Sequence, residues 1–174
     1  AICNRLDRGT EGLVIAAKKY TALRDMNEII RNDWMKKEYL TITIGAPPAG
    51  RHVAWLQHSE KGNKVRIHAH ESEGYKKIIT DVTVIRCIGP FALCRIGLIT
   101  GRTHQIRVHM AWIRHPIAGD PVYGIGKPEL GLHSQCLHAK ELTFLHPRTG
   151  EEMTLSCPLP EEFEHALKKL QRMM

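Results

Sequence analysis

The sequence predicts an α+β fold: a mixed, mainly antiparallel β-sheet with packed helices and loops. Two observations carry this. Segments with strand character outnumber segments with helical spacing, and most strand segments follow one another across short turn-forming stretches, as hairpins do.

In order, residues 13–17 (LVIAA) form a continuous apolar run behind a turn and read as a short buried strand. Residues 18–33 (KKYTALRDMNEIIRND) place Tyr20, Leu23, Met26 or Asn27, and Ile30 at helical spacing and end on Asn32-Asp33, which predicts an amphipathic helix. Residues 36–45 (KKEYLTITIG) alternate strictly. Leu40, Ile42 and Ile44 share one face of a strand, and Tyr39, Thr41 and Thr43 point the other way. Residues 46–50 (APPAG) are a loop, and the basic, weakly alternating residues 61–70 read as an edge strand.

Two longer strands, 79–88 and 91–100, are joined at Gly89-Pro90 by a tight antiparallel turn. Residues 102–113 (RTHQIRVHMAWI) read as a helix that starts between Gly101 and Thr103, with Thr103 as its N-cap. Residues 115–131 are rich in Pro and Gly and form a long loop. Residues 137–147 and 151–157 make a hairpin across 146–150. Residues 160–173 are a helix with Pro160 in its first turn, two Glu behind it, and Phe163, Ala166, Leu167, Leu170 and Met174 as its buried stripe.

A chain of 174 residues, 43% apolar and 25% charged, has room for one ordinary domain with its own core. It has no apolar run of membrane-helix length and no signal-like N-terminus, so a cytoplasmic protein that does not engage a membrane is expected. The five cysteines are odd in number and scattered, and read as reduced thiols. The histidine pairs 68/70, 104/109 and 133/138 lack Cys or carboxylate partners at ligand spacing, so no metal is expected. GIGKPELG and GDPVYGIGK depart from the dinucleotide and phosphate-loop patterns, and no cofactor is expected. A formal charge of +7 favours a polyanionic partner, and the basic residues recur beside Gly-rich and aromatic segments.

Within NRLDRGTEG, residues 4–12, Asp7 lies between Arg5 and Arg8. Alone, the nonapeptide reads as an ordinary turn with weak surface pairs. Three segments in order change that reading: NRLDRGTEGLVIAAK, KKEYL and TGRTHQIRVHMAWIRHPIAGDPVYG. They resemble, in order and approximate spacing, the RNA pseudouridine synthases of the RluA type, and SQCLHAKELTFLHPRTGEEMTLSCPLP resembles the end of the same catalytic domain. Two positions depart from the family pattern: Asn4 stands where the family usually has His, and Glu11 where it has Ser. Because the chain starts at the first motif, the resemblance implies a single catalytic domain over 1–174, truncated at its N-terminus.

The resemblance also implies chemistry: isomerisation of uridine to pseudouridine in structured RNA, with ribosomal RNA of the large subunit favoured over transfer RNA, by a monomer that needs no cofactor. Asp7 matches the family's catalytic acid, which either attacks the anomeric carbon or removes a sugar proton. Arg107 matches the basic residue paired with that acid, and a cation within reach favours the ionised carboxylate. Tyr39 matches the aromatic that stacks on the uracil. Arg5, Arg8, Lys36, Lys37, Lys76 and Arg102 are the candidates for RNA contact. Glu11 and Asp120 are the nearest candidates for a second carboxylate, His104 and His109 are read as stabilising their motif, and Thr10 and Gly12 as shaping a turn. The competing expectation is a catalytically silent RNA-binding protein of the same fold acting in ribosome assembly.

Overall fold

The computed structural model describes residues 1–58 and 65–173. Among these described residues eleven elements follow one another: β1 (Glu11–Gly12), α1 (Tyr20–Arg31), β2 (Lys36–Ile44), β3 (Gly50–His58), β4 (Val65–His68), β5 (Lys76–Ile88), β6 (Phe91–Leu98), α2 (Gln105–Trp112), β7 (Leu137–Leu145), β8 (Glu152–Ser156) and α3 (Glu161–Arg172). The strands form one eight-stranded sheet in the order β1-β7-β2-β6-β5-β3-β4, with β8 also on β7. Among the described residues only β1–β7 is parallel, and every other pairing is antiparallel. The sheet is therefore mixed and mainly antiparallel, as the hairpin pattern predicted.

The β5–β6 hairpin turns between Ile88 and Phe91, where Gly89 adopts φ +55°. That left-handed conformation suits glycine in a two-residue connection. The β7–β8 hairpin pairs Leu145 with Glu152 across the predicted turn.

Opposed residues of a ladder share a face, so the register sorts the sheet into two sides. One side carries the rows Tyr39–Ile96–Val82 and Lys37–Leu98–Thr80–His52. Here α2 packs: His109 meets Thr80, and Ile106 and Met110 join Ile96 and Val82 in the main core. The other side carries Leu40 opposite His138, against whose ring α3 sets Phe163 at 6.5 Å. A separate cluster seats α1 through Met26 and Ile29 on Leu142 and Phe144.

Several expectations are corrected. The phase of β2 holds, and its second face is enclosed: Thr41 and Thr43 are fully buried, with Cys136 ahead of β7 and Ile117 beyond α2 against them. Their hydroxyls donate to the Cys136 and Gly45 carbonyls instead of to water. Residues 13–17 form no strand. The paired backbone is the two-residue β1, and Ala16 makes only an isolated bridge to Ile2. In α1, Tyr20 is 78% exposed and Ile29 shares the buried stripe with Met26. β3 was not foreseen, since GRHVAWLQH scatters its polar residues over both faces. Of the basic segment 61–70, the described part contains β4, at the sheet edge; residues 61–64 lie outside the described residues, as does Met174. The helix after Thr103 begins later, at Gln105, with His104 rather than Thr103 in the capping position.

His109 is buried on α2, with Nδ1 2.9 Å from Thr80 Oγ1 and its ring beside His52. Burial, and then the proximity of His52, depress its pKa from 6.5 to about 4. The unfolded chain therefore takes up this proton before the folded one does. The contribution of His109 to stability is complete above about pH 6.5 and is lost as the pH falls from there toward about 4. Urea titrations at pH 7 and pH 5 should show the wild-type protein losing on the order of 1–2 kcal/mol more than His109→Gln over that interval. Parallel losses in the two proteins would refute the assignment.

Candidate active site

The segment that carries Asp7 is held from both sides. Thr10 N donates to the Asp7 carbonyl at 2.9 Å, closing a turn in which Gly9 has φ +83°. Asn4 clamps the same loop: its Oδ1 accepts from Ile15 N at 2.8 Å and its Nδ2 donates to the Leu13 carbonyl at 3.4 Å. From the far end of the chain, Gln135 Nε2 donates to the Arg8 carbonyl at 2.8 Å and to Thr10 Oγ1 at 3.0 Å. Ser134 Oγ donates to the Gly9 carbonyl at 3.2 Å. Gly12 then runs so close to β7 that a Cβ on it would lie 2.4 Å from the Ala139 carbonyl oxygen. Glycine is required there by contact as well as by its φ of +130°.

The opposing wall is the start of α2. Gln105 pins it: its Oε1 accepts from Arg102 N and Thr100 Oγ1, and its Nε2 donates to the Ile79 carbonyl and Thr80 Oγ1. His104, immediately before the helix, is left-handed at φ +54°, a conformation uncommon outside glycine and concentrated at functional sites. It aims His104 Nε2 at Asp7 Oδ1, 4.0 Å away.

One helical turn on, Arg107 is 4% exposed and makes two hydrogen bonds to Asp120, Nε to Oδ2 at 2.8 Å and Nη2 to Oδ1 at 3.0 Å. Its remaining nitrogen, Nη1, lies 3.6 Å from Asp7 Oδ2, and its guanidinium carbon sits 5.3 Å from the centre of the Tyr123 ring. Burial works against the charged guanidinium, but the hydrogen bonds and charge of Asp120, joined by the charge of Asp7, outweigh it and leave its pKa above the ordinary value. For Asp120 burial again opposes the charge, and hydrogen bonds from Arg107 and from the Tyr123 and Val122 amides hold the carboxyl below its ordinary range. Tyr39 faces the same spot from β2, at a register shift between Glu38 and Tyr39 that turns the strand there. Burial, and then the negative charge of Asp7, push its phenol up to about 12, so Tyr39 enters chemistry as a neutral ring.

A partly exposed carboxylate thus has a buried cation at one oxygen, an imidazole at the other and a neutral aromatic beside it. Residues 1–112 match the family described as RNA pseudouridylate synthase. The chain belongs to that family.

Among its relatives, a protein of Chlorobaculum parvum named an uncharacterized RNA pseudouridine synthase is 39% identical over 95% of this chain and 56% of its own length. The ribosomal large subunit pseudouridine synthase C of Escherichia coli is 33% identical over 97% of this chain and 56% of its own. Among solved structures, human RNA pseudouridylate synthase domain containing 4 superposes with a TM-score of 0.82 at 26% identity, covering 98% of this chain and 75% of that one. The chain spans about half the length of the curated relatives it matches.

Against the pseudouridylate synthase pattern, the fold brings Asp7, Tyr39 and Arg107 together from three distant segments. Arg107 lies beside Asp7 as the resemblance implies, and the fold adds a second partner, Asp120, which takes its two hydrogen bonds. Asp120 is accordingly no exposed turn acid but the buried counter-ion of that arginine, and Glu11 is an exposed residue of β1. Asn4 and Thr10 are ties of the loop. His104 belongs to the site, whereas His109 packs behind it.

Of the proposed RNA contacts, Arg5 and Arg8 are exposed on either side of Asp7. Lys37 lies against Gly101 next to the exposed Arg102, and its pKa is lowered by burial, which together with Arg102 outweighs Asp33. Lys36 adjoins it on β2. Lys76 stands apart on β5, two strands away in the sheet order. Sequence reasoning missed Tyr123 and Gln135. Tyr123 carried a legible signal, since an Asp followed by a tight turn returns the backbone amides of Val122 and Tyr123 to its own carboxylate.

The two partners of Arg107 predict opposite stability profiles. Asp120→Asn leaves a buried guanidinium without its counter-charge and should cost ~3–5 kcal/mol in urea unfolding. Asp7→Asn removes a longer, partly exposed pair and should cost under ~1 kcal/mol. Equal costs would contradict this division of roles.

Proposed function

We propose that this chain isomerises uridine to pseudouridine in RNA, with Asp7 as the reacting acid. The observation that carries the reading is the convergence of Asp7, Arg107 and Tyr39, with one carboxylate oxygen 3.6 Å from a buried guanidinium. Family membership supports it.

In this reaction the bond from uracil N1 to C1′ breaks and a bond from C5 to C1′ forms. C5 gives up its hydrogen to solvent and N1 takes one up, so nothing else is consumed. Asp7 supplies either an oxygen that bonds C1′ as an ester or a base that removes a sugar proton and gives a glycal. Arg107, already satisfied by Asp120, orients the carboxylate without having to move. Tyr39, neutral and half buried, offers a face on which a uracil extruded from its stack can rest and turn. Arg5 and Arg8 flank the acid and, with Lys36, Lys37 and Arg102, present cations to the backbone, while Lys76 extends the basic surface across the sheet. Such contacts position RNA without reading its sequence.

Large-subunit ribosomal RNA is the proposed substrate, in line with the relative from Escherichia coli. The test is tritium release from a large-subunit transcript labelled at uridine C5. Release by the wild type and none by Asp7→Asn is expected. RNA retention on filters without release from ribosomal or transfer RNA would point instead to a silent binding protein.

Tyr39→Phe should keep RNA affinity within about two-fold, since the stacking ring remains. A large loss of binding in that variant would remove Tyr39 from the stacking role.

A further inference from the structure

Asp7 meets two groups, and only one of them is a permanent cation. The second is His104, whose Nε2 faces Asp7 Oδ1 at 4.0 Å while its Nδ1 lies 3.0 Å from the Tyr123 hydroxyl. What His104 presents to the carboxylate depends on which ring nitrogen bears hydrogen, and its neighbours decide that.

The Tyr123 oxygen already accepts from Val65 N at 3.4 Å. Its own hydrogen needs an acceptor, and among the described residues that acceptor is His104 Nδ1. Tyr123 keeps this hydrogen, because burial raises the pKa of its phenol. From the other end, a carboxylate facing Nε2 favours hydrogen on that nitrogen. Both ends of the ring therefore select the same form.

We propose that Tyr123 fixes His104 as the Nε2–H tautomer, making the imidazole a neutral donor aimed at Asp7 Oδ1, so that both residues are positioning residues for the isomerisation. The proposal rests on the reading of Asp7 as the reacting acid. Its chemical sense is that Arg107 already supplies a buried positive charge facing the carboxylate. A second cation would stabilise the carboxylate further and blunt it as a nucleophile or base, whereas a neutral N–H orients it and leaves its charge available. The 4.0 Å separation exceeds a hydrogen bond and is of the kind that tightens when substrate closes the site. The left-handed backbone at His104 is what points the ring both ways at once.

The first test needs no RNA. Long-range ¹⁵N–¹H correlation spectra of the whole chain, with His104 assigned by its loss in His104→Gln, should show hydrogen on Nε2 and a bare Nδ1, and in Tyr123→Phe a mixture of tautomers. Hydrogen on Nδ1 in the wild type, or a tautomer indifferent to Tyr123→Phe, overturns the proposal. In turnover on labelled RNA, Tyr123→Phe should lower kcat about tenfold, the worth of one net hydrogen bond, with KM nearly unchanged. His104→Gln, whose amide N–H can stand in for Nε2–H, should keep more activity than His104→Ala; equal loss in the two overturns the donor role. If no protein, wild type included, releases tritium, it is the isomerase reading that fails, and the spectra alone decide whether Tyr123 fixes His104.

Discussion

The structure turns on one buried guanidinium. Arg107 sits inside the face of the sheet that α2 covers, where an unpaired cation is not tolerated, so Asp120 must be there to meet it. To reach it, the loop after α2 folds back until Asp120 is buried, with the Val122 and Tyr123 amides closing on its carboxylate. That turn brings the Tyr123 ring against the guanidinium. Only one guanidinium nitrogen remains for Asp7, and its direction is set by the pair with Asp120.

This arrangement gives Arg107 one enclosed partner and one open one. The Arg107–Asp120 contact is the structural one, short and enclosed, and the Arg107–Asp7 contact is longer and open to solvent on one side. A carboxylate bound as tightly as Asp120 would be a poor nucleophile, while one with no cation nearby would have no fixed orientation. Asp7 stands between these limits, with Tyr39 held at the bend of β2 to complete the wall.

The sheet was legible because its strands alternate and its turns carry Gly and Pro. β2, β5, β6, β7 and the last helix lie close to where pattern alone puts them. β3 was not, because GRHVAWLQH mixes polar and apolar residues on both faces, and a strand beside the edge draws its stability from neighbours that local pattern does not show. The face of Tyr39 was legible from its phase; that this face is buried was not, since it is closed by distant parts of the chain, Cys136 accepting from the Thr41 hydroxyl and Ile117 bridging to Thr43. Asp7, Tyr39 and Arg107 were named through resemblance. The partnership of Arg107 with Asp120 and the contacts of His104 and Tyr123 depend on how one long loop returns, which no local spacing encodes.

The turn bearing Asp7 is tied to residues 125 positions away, through Ser134 and Gln135, and its only regular strand is the two-residue β1. The β2–β7 ladder closes loops almost as long but repays the closure with a run of paired residues, whereas the Asp7 turn repays it with a few side-chain hydrogen bonds. The hydrophobic sheet can therefore stand while the Asp7 carboxylate is undocked, because few of the contacts of that segment belong to the sheet itself. Amide protons of the first dozen residues would then exchange long before those of β2 and β6, and a protein that looks folded by its secondary structure would spend part of its time with Asp7 parted from Arg107.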